Sequence, residues 1–92
     1  MIVNFYATLR SIVGTRQVEF PLPPGGKLRQ LIDEIVRLYP ALQVEMLDSQ
    51  GNLHGHIHVF VNGRDSSLLA DTLDTILEPS DIISIFPPVG GG

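Results

Sequence analysis

The chain has 92 residues, 43% of them hydrophobic and 17% charged, with a net charge of −4; this gives one globular domain with a modest core and argues against disorder and nucleic-acid binding. It has no cysteine, which excludes disulfides, iron–sulfur ligation and a thiol nucleophile of its own. No N-terminal leader pattern is visible and no apolar run approaches the ~20 residues of a membrane span, so the expectation is a soluble cytoplasmic protein with no membrane partner.

Val3, Phe5 and Ala7 alternate with Asn4, Tyr6 and Thr8, which predicts a first strand with one apolar face. Leu9 to Gly14 reads as a turn. Thr15 to Phe20 reads as a second strand, with Val18 and Phe20 on one side and Gln17 and Glu19 on the other. Pro21, Pro23, Pro24, Gly25 and Gly26 then break the pattern. The period changes to helical over Leu28, Leu31, Ile32, Ile35 and Leu38 or Tyr39, and Pro40 ends that helix. Between Ala41 and His54 the reading is a connection with a short strand or a helical turn, in which Leu42, Val44, Met46 and Leu47 touch the core and residues 48–52 turn.

His56 to Val61 predicts a strand with Ile57, Val59 and Val61 on one face. Asn62-Gly63 is a strong hairpin signal, so Arg64 to Leu68 should return as a short edge strand. Leu69 to Leu77 reads as a helical turn that plugs the core with Leu73, Ile76 and Leu77. Residues 78–81 form a tight turn that Asp81 orders through its side chain. Ile82 to Phe86 is the last strand, with Ile83 and Ile85 inward. The order is β-β-α-β-(β)-turn-β, and one main helix must cover one face of a mixed sheet of four to five strands. That is an α+β chain of the β-grasp (ubiquitin-like) type, in which the first and last strands are neighbours and the domain covers residues 1–89.

Beyond the last strand the chain reads Pro87-Pro88-Val89-Gly90-Gly91-Gly92. The glycines at 90–92, read as a flexible tail, bury nothing and lose the most backbone entropy on ordering. Such an end suits a narrow slot in another protein, with the α-carboxylate of Gly92 as the reactive group.

The run Asp81-Ile82-Ile83-Ser84-Ile85-Phe86-Pro87-Pro88-Val89-Gly90-Gly91-Gly92 resembles the closing motif of the ubiquitin-like sulfur carriers of the MoaD/ThiS superfamily. Phe5-Tyr6-Ala7-Thr8-Leu9-Arg10 with Val13-Gly14 is similar to their first hairpin, in particular that of the molybdopterin synthase small subunit. The resemblance implies a carrier rather than an enzyme. An E1-like enzyme would adenylate the Gly92 carboxylate with ATP, with Gly91 beside it in the slot. A sulfur donor such as a cysteine desulfurase or rhodanese would then supply the sulfur of a thiocarboxylate. The acceptor would be the large subunit of molybdopterin synthase, in molybdenum cofactor synthesis, or another sulfur-accepting enzyme. No bound cofactor or metal is implied. The same C-terminus would serve a protein modifier joined to target lysines, or a carrier for cysteine or thiamine synthesis. The chain departs from the family in its third glycine, Gly90. The stretch from Tyr39 to His58 is longer than in short molybdopterin carriers and resembles that of cysteine-route carriers and small archaeal modifiers.

Partner-binding residues are expected at Tyr6, Phe60, Phe86, Pro87, Pro88, Val89 and Gly90. Tyr6, Phe60 and Phe86 alternate with core residues on neighbouring strands, so they should gather on the helix-free face. Isolated surface aromatics would need no such explanation. His54, His56 and His58 alternate and are read as a polar face beside that cluster rather than as metal ligands. Arg10 and Arg64 are exposed candidates for pairing with acidic groups of an activating enzyme. Lys27 is the single lysine, which argues against chain-building through lysines.

Overall fold

Alternation sets the centre of the sheet. In the computed structural model, which describes residues 1–87, β1 (Ile2–Phe5) and β5 (Ile82–Phe86) bury Val3, Phe5, Ile83 and Ile85 completely on one face. The two strands pair in parallel, from Ile2 opposite Ile82 to Phe5 opposite Ile85. β2 (Gln17–Glu19) joins β1 antiparallel, β3 (His58–Val61) joins β5 antiparallel, and β4 (Arg64–Asp65) closes the other edge. The order is β2-β1-β5-β3-β4, the mixed five-stranded β-grasp sheet that the sequence led us to expect.

The main helix α2 (Leu28–Leu38) covers the apolar face, with Leu28, Leu31 and Ile35 fully buried. Gln30 Oε1 accepts the Lys27 N–H at 2.7 Å, satisfying a donor at the helix start. At the far end Tyr39, not Leu38, packs on the core; Leu38 is left half-exposed. Pro40–Leu42 and α3 (Gln43–Met46) then send Leu42 and Met46 into the core. Val44 points outward instead of touching the core, because a helical turn cannot aim consecutive even positions the same way.

Several elements differ from the sequence reading. Leu9 to Gly14 is not a turn: Ala7–Val13 is a helix, α1, which buries Leu9 and ends at Gly14 with φ 91°. β1 therefore stops at Phe5, and α2 shares the covered face with α1. β3 begins at His58 rather than His56. The return strand after Asn62-Gly63 is only Arg64–Asp65, because Asp65 caps a 3₁₀ turn at Ser66–Leu68. A further 3₁₀ turn, Thr72–Asp74, half-buries Leu73, and Leu77 is buried. Ile76 is 62% exposed, because its backbone bridges Lys27 and turns its side chain away from the core.

A polar clasp holds the start of β5. Asp81 accepts the Glu78 N–H at 2.7 Å and the Asn62 side-chain N–H at 2.8 Å. Asn62 Oδ1 in turn accepts the Ile82 N–H at 2.9 Å, and the Asn62 N–H donates to the Ile82 carbonyl at 2.9 Å. This is the turn-ordering role expected for Asp81, extended to the hairpin at Asn62. Among the described residues no helix is long and apolar enough to cross a membrane.

Candidate functional site

The uncovered face of the sheet carries the site. Because Phe5 lies opposite Ile85 in the parallel pair, the next residues, Tyr6 and Phe86, meet on the other face. Tyr6 keeps an extended backbone, and its ring stacks on Phe86 with centroids 4.2 Å apart and planes 9° apart. Phe60 lies opposite Ser84, one rung back on β3, and meets Phe86 edge-on at 5.3 Å. All three rings are only partly buried. Each such pair contributes about 0.5–1.5 kcal/mol beyond the area it buries. The structure thus brings together Tyr6, Phe60 and Phe86, and half-buried Pro87 comes directly after them.

Polar pairs flank these rings. On the β2 side the Gln17 side chain donates to Asn4 Oδ1 at 2.9 Å. On the β4 side His58, opposite Phe86 in register, approaches Asp65 at 3.4 Å. The backbone N–H of Ser67 (2.9 Å) and its hydroxyl (2.8 Å) hold the Asp65 carboxyl below the ordinary range, and His58 adds to this. An apolar centre with a hydrogen-bonding rim is the anatomy of a protein-binding surface. The patch offers apolar area bordered by hydrogen-bonding side chains.

The three histidines do not share a strand face. Gly55 and His56 lie in a turn, where His54 and His56 stack on each other at 4.8 Å, and only His58 reaches the aromatic patch. Among the described residues no group of three or more His, Cys, Asp or Glu is placed to hold a metal ion. Arg10 and Arg64 are exposed, and among the described residues neither forms an ion pair. Lys27 is exposed at the start of α2. The expectations for Pro88, Val89, Gly90, Gly91 and Gly92 lie outside the described residues.

Sequence reasoning missed one part of this face. Ile2 and Ile82 are register partners and stand 36% and 47% exposed on it, extending the apolar strip along β1 and β5. The signal was present: Ile82 shares the parity of Ser84 and Phe86, and Ile2 that of Asn4 and Tyr6.

The model of the ThiS family matches residues 3–92. Small archaeal modifier protein 3 of Haloferax volcanii is 29% identical over 90 residues, which span 98% of this chain and 96% of that protein. The crystal structure of SAMP1 from Haloferax volcanii superposes with a TM-score of 0.88 at 28% identity, covering 99% of this chain and 97% of the other. A putative molybdopterin converting factor subunit 1 from Pyrococcus furiosus matches with a TM-score of 0.73 at 28% identity, over 96% and 95% of the two chains.

Proposed function

The chain belongs to the ThiS family of ubiquitin-like sulfur carriers and modifiers, and on that premise we propose that it carries sulfur as a thiocarboxylate on Gly92 for molybdopterin synthesis. The observation that carries this reading is the aromatic patch of Tyr6, Phe60 and Phe86 at the end of β5, from which the chain continues into Pro-Pro-Val-Gly-Gly-Gly. The division of labour is physical. The open sheet face supplies docking area, and the glycines supply a backbone thin enough for a partner's active-site slot.

A carboxylate is a poor electrophile. An E1-like enzyme makes it reactive by transferring AMP from ATP to the Gly92 carboxylate, with pyrophosphate leaving. The persulfide of a sulfur donor such as a cysteine desulfurase or rhodanese then attacks the acyl adenylate and displaces AMP, and a thiol of the partner cleaves the S–S bond of the resulting acyl persulfide, leaving the thiocarboxylate on Gly92 and a disulfide on the partners. The thiocarboxylate is a good nucleophile and delivers its sulfur to the precursor-bound large subunit of molybdopterin synthase. Acid, base and nucleotide chemistry reside in the partners, so this chain acts as a carrier or non-catalytic subunit. The likeness to a molybdopterin converting factor subunit supports this destination.

The full-length match to a small archaeal modifier favours a second reading, in which the same adenylate is captured by a lysine of a target protein. Intact-mass measurement after incubation with an E1-like enzyme, ATP and a sulfur source separates the two. Exchange of one oxygen for sulfur on the full chain, absent after deletion of residues 90–92, is the expected result. Gly92-dependent ladders on target proteins without that exchange would replace the carrier by the modifier.

A further inference from the structure

The aromatic trio is too small to be a binding surface by itself. Stable protein interfaces take in about 20–30 residues and about 800 Å² a side. Tyr6, Phe60 and Phe86 are each only partly exposed. The register of the sheet gives the direction in which the apolar surface continues. Ile2 and Ile82 pair across β1 and β5 on the same open face. They lie back along the strands from Tyr6 and Phe86 by about 13 Å, at roughly 3.3 Å per residue. Asn4 and Ser84 separate the two pairs, and both are partly buried. Phe60 stands opposite Ser84, so it is diagonal to Ile82 as well as to Phe86 and spans the gap. Val44 and Leu68 are exposed too, but on helical turns, without an apolar partner across a strand pair.

The carboxylates of this face stand at its two edges. Glu19 is the register partner of Ile2 on β2, and Asp65 that of Phe60 on β4. Arg64 is opposite Val61, which packs on the core, so it takes the other parity. Among the described residues no lysine or arginine therefore occupies a strand position of the open face; His58, beside Asp65, is the one residue there that can gain positive charge. An apolar strip with acidic edges fits an apolar ridge with basic flanks. On the premise that the aromatic patch docks, we propose that the E1-like enzyme covers the open face along the whole of β1 and β5, with Ile2–Ile82 as a second apolar anchor and a basic side chain of the enzyme over Glu19. One anchor would leave the carrier free to swivel. Two anchors on the same strands fix the direction in which β5 points at the enzyme, and with it the approach of the residues that follow.

The test is the double variant Ile2→Thr, Ile82→Thr in the full chain, which keeps β-branched side chains on the strands and removes their apolar ends. Pyrophosphate release by the E1-like enzyme of the same organism is followed, with Phe86→Ala as the comparison. The KM for the carrier should rise by about tenfold with kcat unchanged, while thermal unfolding stays cooperative. Should the double variant lose its cooperative transition, Ile82→Thr alone carries the test, with a rise of about threefold. Glu19→Lys should raise KM by about threefold at low salt and by less as salt is added. An unchanged KM in the threonine variants, with Phe86→Ala impaired, overturns the second anchor and leaves the docking reading intact. An unchanged or lowered KM for Glu19→Lys overturns the basic flank. Unchanged KM in every variant, Phe86→Ala included, overturns the docking reading and this inference with it.

Discussion

The two faces of β5 are built from similar residues and do opposite things. Ile83 and Ile85 are fully buried under α2 and α1, whereas Ile82 and Phe86, no less apolar, stand partly in water. On the covered face, apolar side chains have each other as partners. On the open face they have a short row of rings and an isoleucine pair bordered by Gln17–Asn4 and His58–Asp65. Water-facing apolar area of this kind stabilises the fold less than the buried face does, and contiguous patches of it are what partner surfaces commonly cover. One strand thus divides buried from open apolar area by the parity of its residue numbers.

Substitutions on the two faces should separate these roles. The largest effect on stability is expected from Ile85→Ala, which leaves a cavity between β5 and the helices and costs about 2–5 kcal/mol, read from urea unfolding. Phe86→Ala, one residue later, should cost only about 1 kcal/mol in the same experiment and yet weaken binding to an activating enzyme by tenfold or more in calorimetry. Equal losses of stability at the two positions would erase the distinction. The smallest effect lies at the rim. Asp65 has a folded-state pKa below its unfolded value, so its contribution is present above the ordinary carboxylate range and is lost as pH falls through the folded value, below about pH 4. Asp65→Asn should lower the neutral-pH urea midpoint slightly and flatten part of its acid limb between about pH 5 and pH 2, so that the two curves converge at low pH. An acid limb identical to that of the unsubstituted protein would exclude this rim contribution.

The sheet was legible because its residues carry long-range information in a short-range pattern. Val3, Phe5, Ile83 and Ile85 alternate cleanly, and a single clear helix left one way to cover them. The gathering of Tyr6 and Phe86 came out of the same alternation once the two strands were taken as neighbours. The helix α1 was hidden because Ala7 prolongs the strand alternation in the sequence, while Leu9, Ile12 and Val13 fill barely two turns before Gly14. That i, i+3, i+4 spacing ahead of a glycine was its only local mark. Ile76 was taken for core because hydrophobicity says nothing about direction in a segment without a period; its place is set by the backbone bridge to Lys27. The histidines share a face only in a strand that begins at His56; β3 begins at His58, and His56 lies in the turn before it.

The parallel pairing of β1 with β5 has a consequence for synthesis. Tyr6 leaves the ribosome early, and Phe86 emerges only after all the intervening elements, so the loop between them is among the longest the chain closes. Until β5 arrives, β1 has no central neighbour and the Tyr6 ring has nothing to lie on. A protein that grips the two rings together therefore inspects more than a surface. It tests whether β5 has paired with β1, and a chain folded only part of the way offers it no handle.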